Sequence, residues 1–286
     1  MNSIVDAHVH LFPPEVAASR GSYLARDRWF AELYSNPKAR TAVADELLAS
    51  MDANGIERSI VAAFPWADEE LCEQHNAYYR SLGHRDRLTF LCTVQPRAGI
   101  RALDELRRCL DDGFAGMGEM NADAQGVELA EAEALQALAG ALAEAGAAFM
   151  VHCSEPVGHS YPGKGANTPD KLYRFATSYP ELVVVGAHWG GGLPFYYLMP
   201  EVGPSLPNLY FDSAAVDFLY KREIFPTAAG LLGPERMLFG SDFPLLSQQR
   251  ALSYARSAGL SEDTERAFLG GNAALVYRFP LNKPSP

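Results

Sequence analysis

The chain has 286 residues, 48% of them hydrophobic and 21% charged, and a formal net charge of −11. This is ordinary globular composition, which excludes a collagen-like, low-complexity or wholly disordered chain. Its acidic balance disfavours nucleic acid as a partner, and the absence of an apolar run of roughly 18–20 residues disfavours a membrane span.

Eight short, near-continuous apolar runs follow one another along the chain, separated by segments with helical spacing. Runs of this kind are typical of strands buried on both faces, as in a parallel sheet. The predicted strands, in chain order, are Ser3–His8, Arg58–Phe64, Leu88–Val94, Phe114–Glu119, Ala148–His152, Leu182–His188, Leu209–Asp212 and Met237–Gly240.

Helices are predicted between these strands from apolar spacing and from start and stop residues. They are Thr41–Asn54, Ile100–Asp112, Leu129–Ala145, Thr168–Ser178 and Ser261–Leu269, the last ending at Gly270–Gly271. Eight βα alternations predict an α/β fold, a (β/α)8 TIM barrel that forms a single domain over residues 1–286. A doubly wound open sheet is the alternative, but the sequence lacks its GxGxxG turn.

Two segments are longer than a normal βα connection. Residues 11–38 are predicted to form a cover loop, and residues 154–167 an active-site loop. The first segment is rich in aromatic and arginine side chains: Phe12, Tyr23, Trp29, Phe30, Tyr34, Arg20, Arg26 and Arg28. Such a cover suits a flat, anionic or cyclic substrate. It equally suits an oligomer contact, which leaves a homodimer possible.

Four of the seven histidines fall at the ends of predicted strands. His8 and His10 close strand 1, His152 closes strand 5 and His188 closes strand 6. An H-x-H pair on a strand puts both imidazoles on one side of the backbone, where they can bind one divalent ion. Because the active sites of TIM barrels lie at the C-terminal face of the strands, we predict a metal site there.

Two carboxylates extend this pattern. Asp242 follows the apolar run of strand 8, and Glu119 ends strand 4. A carboxylate in such a site can bind a metal or take a proton from water activated by it. Asp242 and His188 are therefore the predicted catalytic residues, with Asp242 moving the proton and His188 contacting the developing oxyanion. A turn or cap role is the alternative for Asp242, and for Glu119 the alternatives are a cap or a structural ion pair.

Five motifs in this order resemble a known superfamily. They are DAHVH at 6–10, VHCSEP at 151–156, GAHWGG at 186–191, LFGSDFP at 238–244 and GNAALVY at 271–277. Together they resemble the amidohydrolase superfamily, and within it the amidohydrolase-related (amidohydrolase 2) branch. That branch includes the aminocarboxymuconate-semialdehyde decarboxylase-like proteins.

The resemblance implies a distorted barrel with a divalent metal at its mouth. The implied metal-site residues are His8, His10, Glu119, His152, His188 and Asp242. His188 matches the strand-6 histidine that orients the water in mononuclear members and binds the second metal in dinuclear ones. Glu119 stands where many members carry a carboxylated lysine, which is similar to the TatD-like arrangement. One or two ions are thus expected, zinc first, with Mn, Fe, Ni and Co as alternatives.

Further residues are candidates for contact with a small-molecule substrate. They are Trp66 after strand 2, Asn121 after strand 4, and His159, Tyr161 and Lys164 in the active-site loop. Lys164 and Tyr161 could hold a carboxylate or phosphate. A solvated surface lysine is the alternative for Lys164.

The sequence leaves four hypotheses of function. The first is a metal-dependent hydrolase that attacks a C–N or C–O bond of an amide, lactone or cyclic imide. The alternative is a non-oxidative decarboxylase of an aromatic or unsaturated acid, with a cover-loop arginine on the carboxylate. A TatD-like nuclease and a non-catalytic binding barrel complete the set. The four cysteines without a CxxC pair, and a start without signal-peptide features, predict a cytoplasmic protein.

Overall fold

A computed structural model describes residues 3–131 and 135–281. Eight parallel strands form one sheet in which each strand pairs with the next along the chain. The strands are β1 Ile4–His10, β2 Ile56–Ala62, β3 Leu88–Cys92, β4 Gly116–Met120, β5 Ala148–Val151, β6 Val183–Gly186, β7 Leu209–Asp212 and β8 Met237–Leu238. All eight predicted strands are confirmed, together with the (β/α)8 barrel.

The barrel closes through the residues that follow β8, which has only two residues. Asp242 donates its backbone N–H to the carbonyl of His8, at 2.9 Å, and His10 donates to the carbonyl of Phe243, at 2.7 Å. The seam between β1 and β8 is therefore made by irregular backbone, which is the predicted distortion.

Helices cover the outside of the barrel. They are Pro14–Ala18, Arg20–Arg26, Arg28–Tyr34, Ala44–Asn54, Glu69–Ser81, Ile100–Asp111, Ala122–Gln125, Gln136–Ala145, Pro169–Ser178, Val216–Leu219, Ile224–Leu232, Gln248–Arg256, Glu262–Arg266 and Asn272–Val276. Short 3-10 turns occur at Pro96–Ala98, Leu193–Leu198, Gly203–Ser205 and Pro234–Arg236. No helix in the described part of the chain is long and apolar enough to cross a membrane.

The predicted end of the last helix is wrong. The chain passes from Glu262–Arg266 through a π-helical turn, Ala267–Gly271, into the helix Asn272–Val276. Gly270 serves close packing instead of a stop, because a Cβ there would lie 2.4 Å from the carbonyl oxygen of Ser3. Of the predicted helix Leu129–Ala145, residues 132–134 lie outside the described residues, and the observed helix is Gln136–Ala145.

Two apolar layers explain why the strands read as continuous apolar runs. Small and branched side chains, among them Ala7, Ile60, Leu91 and Val185, fill the barrel interior. The alternate residues of the same strands pack outward against the helices in the main core. Each strand is therefore buried on both faces.

The segment 11–38, which was predicted to be a cover loop, is mostly helical. Its helix Arg28–Tyr34 begins at Asp27, whose side chain accepts the N–H of Phe30 at 2.8 Å. Its aromatic side chains pack with Phe64 and Trp66, which follow β2. Burial of this apolar face fixes the segment against the mouth of the barrel.

Candidate active site

The two histidines of β1 point at a common centre. Their Nε2 atoms are 3.1 Å apart. On the far side of each ring, Nδ1 of His8 lies 2.8 Å from Oδ2 of Asp212, and Nδ1 of His10 lies 3.0 Å from the carbonyl oxygen of Ala62. Because these oxygens can only accept, Nδ1–H donates in both rings, and Nε2 is the nitrogen of each ring that can bind a cation once its proton is displaced.

Glu119 lies between the histidines. Its Oε1 is 2.9 Å from Nδ1 of His152 and 3.2 Å from Nε2 of His188. Its Oε2 is 3.6 Å from Nε2 of His8 and 3.5 Å from that of His10. Two groups of potential ligand atoms thus share this carboxylate: His8 and His10 on one side, His152 and His188 on the other.

Asp242 stands on the β1 side of the cluster. Its Oδ1 is 3.4 Å from Nε2 of His10 and 4.0 Å from that of His8. The backbone of Asp242 is left-handed, with φ of 66°. That turn carries the side chain into the site while the N–H closes the barrel seam. The structure therefore brings all six predicted metal-site residues together.

Asp212 is the residue that sequence reasoning missed. It is fully buried at the end of β7. Its Oδ1 accepts the backbone N–H groups of His188 and Ala214, both at 3.0 Å, and its Oδ2 faces His8. A charged residue ending the apolar run LYFD was the available signal.

His188 occupies a left-handed turn after β6, with φ of 55° and ψ of 45°. Its Nδ1–H donates to the carbonyl oxygen of Ala214 at 3.0 Å, which turns Nε2 toward Glu119. The backbone turn sets the position of the His188 side chain, and the hydrogen bond of Nδ1 sets the orientation of its ring.

Two glycines make room for the cluster. A Cβ on Gly240 would lie 2.8 Å from Cβ of His8, and one on Gly118 would lie 2.5 Å from Cβ of Met150. Gly118 lies in β4, whose sequence is GMGEM, and Gly240 lies in the motif LFGSDFP at 238–244. They let β4, β5 and the β8 end approach closely enough for their acidic residues to meet the histidines.

Charge is balanced within the cluster. Burial alone would raise the pKa of Glu119, but His152 and His8 outweigh it and hold that pKa well below its usual range. Burial lowers the pKa of His188, yet the hydrogen bond and charge of Glu119 raise it to about 9. Without a metal the protonated imidazoles therefore neutralise the carboxylates, and a cation would take the place of those protons.

The donor set fits a divalent metal ion. Four imidazoles and two carboxylates converge, and the rings of His8, His10 and His188 are each oriented by a hydrogen bond on their other nitrogen. Mixed nitrogen and oxygen ligands suit Zn, Mn, Fe, Co and Ni alike, so the geometry does not single out zinc.

The cluster forms the floor of a cavity of about 630 Å³. Aromatic and aliphatic side chains make most of its wall: Trp29, Leu33, Tyr34, Phe64, Phe218, Leu219 and Leu245. Three charged residues of the wall also line it, Lys38, Arg40 and Glu32, and Nη2 of Arg40 lies 3.2 Å from Oε1 of Glu46. The cavity thus combines a polar floor, a largely apolar wall and charged groups at the wall, among them the ammonium of Lys38.

Three of the predicted substrate residues line this cavity: Asn121, His159 and Tyr161. Tyr161 donates its hydroxyl to Oε2 of Glu155 at 2.8 Å. Asn121 also accepts the N–H of Ala124 at 3.1 Å, as the cap of a short helix.

The two other predicted substrate residues lie elsewhere. Trp66 is buried in the aromatic cluster, where its Nε1–H donates to Nδ1 of His75 at 2.9 Å. Lys164 donates to the carbonyl oxygens of Val157 and His159, at 2.7 Å and 3.0 Å, so its ammonium holds the loop together. Neither residue lines the cavity.

The arginines of the segment 11–38 do not line the cavity either. Arg26, for example, pairs with Asp68, with Nε 2.7 Å from Oδ2. The cavity draws its positive charge from Lys38 and Arg40 instead.

Comparison with known families agrees with this architecture. The chain matches the Amidohydrolase family over residues 5–279. It therefore belongs to that family and is an enzyme of the amidohydrolase superfamily. No curated protein matches the chain.

Solved structures with the same fold include decarboxylases of aromatic acids. One is 5-carboxyvanillate decarboxylase from Sphingomonas paucimobilis, with 18% identity, a TM-score of 0.80, and coverage of 98% of this chain and 100% of the other. Another is the 5-carboxyvanillate decarboxylase from Novosphingobium aromaticivorans with manganese and 4-hydroxy-3-methoxy-5-nitrobenzoic acid. Its identity is 18% and its TM-score 0.77, and the match covers 97% of this chain and 96% of the other. A third is a dihydroxybenzoic acid decarboxylase from Polaromonas with manganese and 2-nitroresorcinol. Its identity is 18% and its TM-score 0.69, and the match covers 97% of each chain. At this identity the likeness shows the shared fold.

Proposed function

We propose that this chain is a metal-dependent, non-oxidative decarboxylase of a small aromatic acid. The observation that carries the proposal is the cavity, whose floor is the histidine and carboxylate cluster and whose wall is aromatic. The decarboxylases with the same fold, two of them with bound manganese, support both the reaction class and manganese as the metal. The decarboxylase hypothesis therefore moves ahead of hydrolysis.

A flat, anionic ring suits the cavity. Phe64, Tyr34 and Trp29 offer faces and edges for an aromatic substrate, and the volume is that of a site for a small ligand. The reacting carboxylate would face the cluster. A second anionic substituent, a phenolate or carboxylate, would meet Lys38 or Arg40.

Divalent metal would be held by His8, His10, His152 and Asp242, with Glu119 beside them. When bound, the metal supplies a Lewis acid that orients the substrate oxygens and withdraws electron density from the ring. The apolar wall excludes water from the reacting carbon.

The remaining chemistry is a proton transfer to carbon. The bond between the ring carbon and the carboxylate breaks, carbon dioxide leaves, and the electron pair stays on the ring carbon, which takes a proton. Asp242 lines the cavity, and its Oδ1 lies 3.4 Å from Nε2 of His10. Burial raises the pKa of Asp242, but the hydrogen bond with His10 and the charges of the neighbouring histidines together outweigh burial and lower that pKa, so the carboxylate is ionised and would first take a proton from water. We assign Asp242 the transfer of that proton to the ring carbon and His188 the orientation of the substrate oxygen.

Hydrolysis is the second candidate, and one observation favours it. Glu119 is shared by two groups of potential ligands, as a carboxylate bridging two ions would be. Two bridged ions suit attack by an activated water on a carbonyl carbon. A second ion bound beside Glu119 would favour hydrolysis of an amide, lactone or cyclic imide over decarboxylation.

Product analysis tests the proposal. Protein loaded with manganese is incubated with a panel of hydroxybenzoic acids, including 5-carboxyvanillate and 2,6-dihydroxybenzoate, and carbon dioxide is measured. A parallel panel holds lactones, amides and cyclic imides. Metal-dependent release of carbon dioxide is expected. Ring opening or amide cleavage in the second panel, with no carbon dioxide from the first, would replace the proposal with hydrolysis.

A further inference from the structure

Tyr34 reaches the cavity from the last turn of the helix Arg28–Tyr34. The start of this helix is tied to the barrel by one side chain. Asp27 accepts the N–H of Phe30 through Oδ1, at 2.8 Å, and the N–H of Ala67 through Oδ2, at 2.9 Å. The helix is therefore fixed to the chain that follows β2.

The ring of Tyr34 is held by three phenylalanines. It stacks on Phe30 with a centroid distance of 4.6 Å and an interplanar angle of 19°. It meets Phe12 and Phe64 edge to face, at 5.3 Å and 6.0 Å. Phe12 and Phe64 follow the ends of β1 and β2, so the position of the ring is set by the strands that carry the site.

The hydroxyl of Tyr34 is an uncommitted donor of the cavity wall. Burial and the charges of Asp242 and Glu119 raise the pKa of Tyr34, so it stays protonated at neutral pH. No hydrogen bond within residues 3–131 and 135–281 uses this hydroxyl, whereas the hydroxyl of Tyr161 in the same cavity is bound to Glu155.

We infer that the Tyr34 hydroxyl donates a hydrogen bond to the oxyanion that a substrate presents to the cluster. A neutral phenol suits this place, because the floor carries carboxylates and the oxyanion needs a donor from the wall. The inference rests on the proposed function for the identity of that oxyanion, a carboxylate or phenolate of an aromatic acid. The hydrogen bond itself would serve any aromatic oxyanion bound at the metal.

The contrasting account is that the ring of Tyr34 only completes the apolar wall. Tyr34→Phe separates the two, since phenylalanine keeps the ring and removes the donor. Tyr23→Phe is the matched control. Tyr23 packs in the same aromatic cluster, with its ring 6.2 Å from Phe30, but does not line the cavity.

Calorimetry with benzohydroxamate provides the test. This chelator carries an aromatic ring and an oxyanion, and it binds divalent metals whether the enzyme decarboxylates or hydrolyses. With equal manganese content and equal thermal stability in all proteins, Tyr34→Phe should weaken binding by about 10- to 100-fold, and Tyr23→Phe should leave it unchanged.

Two results would overturn the inference. One is wild-type affinity in Tyr34→Phe. The other is no saturable binding of benzohydroxamate to the metal-loaded wild-type protein. Neither result depends on release of carbon dioxide, so the inference and the proposed reaction can fail separately.

Discussion

Asp212 holds His8 through a contact of 2.8 Å between Oδ2 and Nδ1, while its other oxygen accepts the N–H of His188. One fully buried carboxylate on β7 thus sets the ring of His8 and the backbone turn of His188. Through its two oxygens, Asp212 connects His8 on one side of Glu119 with His188 on the other. Asp212 itself does not line the cavity. Partners of this kind fix the tautomer of a metal-binding histidine.

Replacing Asp212 with asparagine should weaken metal binding by about 10- to 100-fold. The carboxylate accepts from three donors, Nδ1–H of His8 and the backbone N–H groups of His188 and Ala214, whereas the amide has only one acceptor oxygen. Either the ring of His8 or the turn at His188 therefore loses its acceptor. Equilibrium dialysis against manganese measures the change. Asp112→Asn is the control, since Asp112 is exposed and pairs with Arg80, at 2.6 Å. Equal affinity in wild type and Asp212→Asn would remove Asp212 from this role.

Gly240→Ala should displace His8. The new methyl would lie 2.8 Å from Cβ of His8, a contact that something must relieve. We expect lower thermal stability and lower metal content. Gly230→Ala is the matched change, because a Cβ there meets nothing within 4 Å and the residue lies in the helix Ile224–Leu232. A Gly240→Ala protein with full metal content and unchanged stability would contradict this packing.

Asp242→Asn should keep most of its metal and lose at least about a hundredfold in turnover. The amide oxygen can still contact a cation, but it cannot carry a proton at neutral pH. Metal content and turnover are measured on one preparation, against the substrate found by product analysis. Near-native turnover with metal retained would move proton delivery away from Asp242, and His188 would be the next candidate.

The metal-free protein should lose stability as the pH rises from 6.5 to about 9.5. The pKa of His188 is raised from 6.5 to about 9, chiefly by Glu119 against the effect of burial. A raised pKa means that the folded state binds the proton more tightly, so this stabilisation is full below pH 6.5 and is lost through about pH 9.

Urea unfolding in the presence of a chelator measures this dependence. His188→Asn should reduce the difference in unfolding free energy between the two pH values, because it removes the titrating imidazole. Asparagine is chosen since it tolerates the left-handed backbone at this position. His84→Asn is the control, as His84 is an exposed histidine that also has a positive φ. An equal pH dependence in wild type and His188→Asn would show that another group is responsible.

The strands and the cluster could be predicted because their signals are local. A strand buried on both faces appears as an apolar run, and the position of His8, His10 or His152 at a strand end places it at the barrel mouth. Glu119 was a candidate ligand by the same reasoning, with a cap or a structural ion pair as the alternatives, and the structure places it beside all four histidines.

Other features depend on contacts between distant residues. Asp212 looks like any strand-ending acid until His8 is found beside it. Trp66 was expected at the cavity, but the packing of the segment 11–38 buries it beneath Phe64. Gly270 was interpreted as a helix stop. Its packing constraint comes from a distant residue, since a Cβ there would lie 2.4 Å from the carbonyl oxygen of Ser3, just before β1.

Anomalous scattering from manganese-soaked crystals tests the central claim most directly. The account predicts one strong peak within bonding distance of His8, His10 and Asp242, and its absence in the His8→Ala, His10→Ala double variant, which should still fold because these residues lie at the barrel mouth. Two peaks bridged by Glu119 would favour hydrolysis over decarboxylation. A folded wild-type protein with no peak at this cluster would contradict the assignment of the metal site.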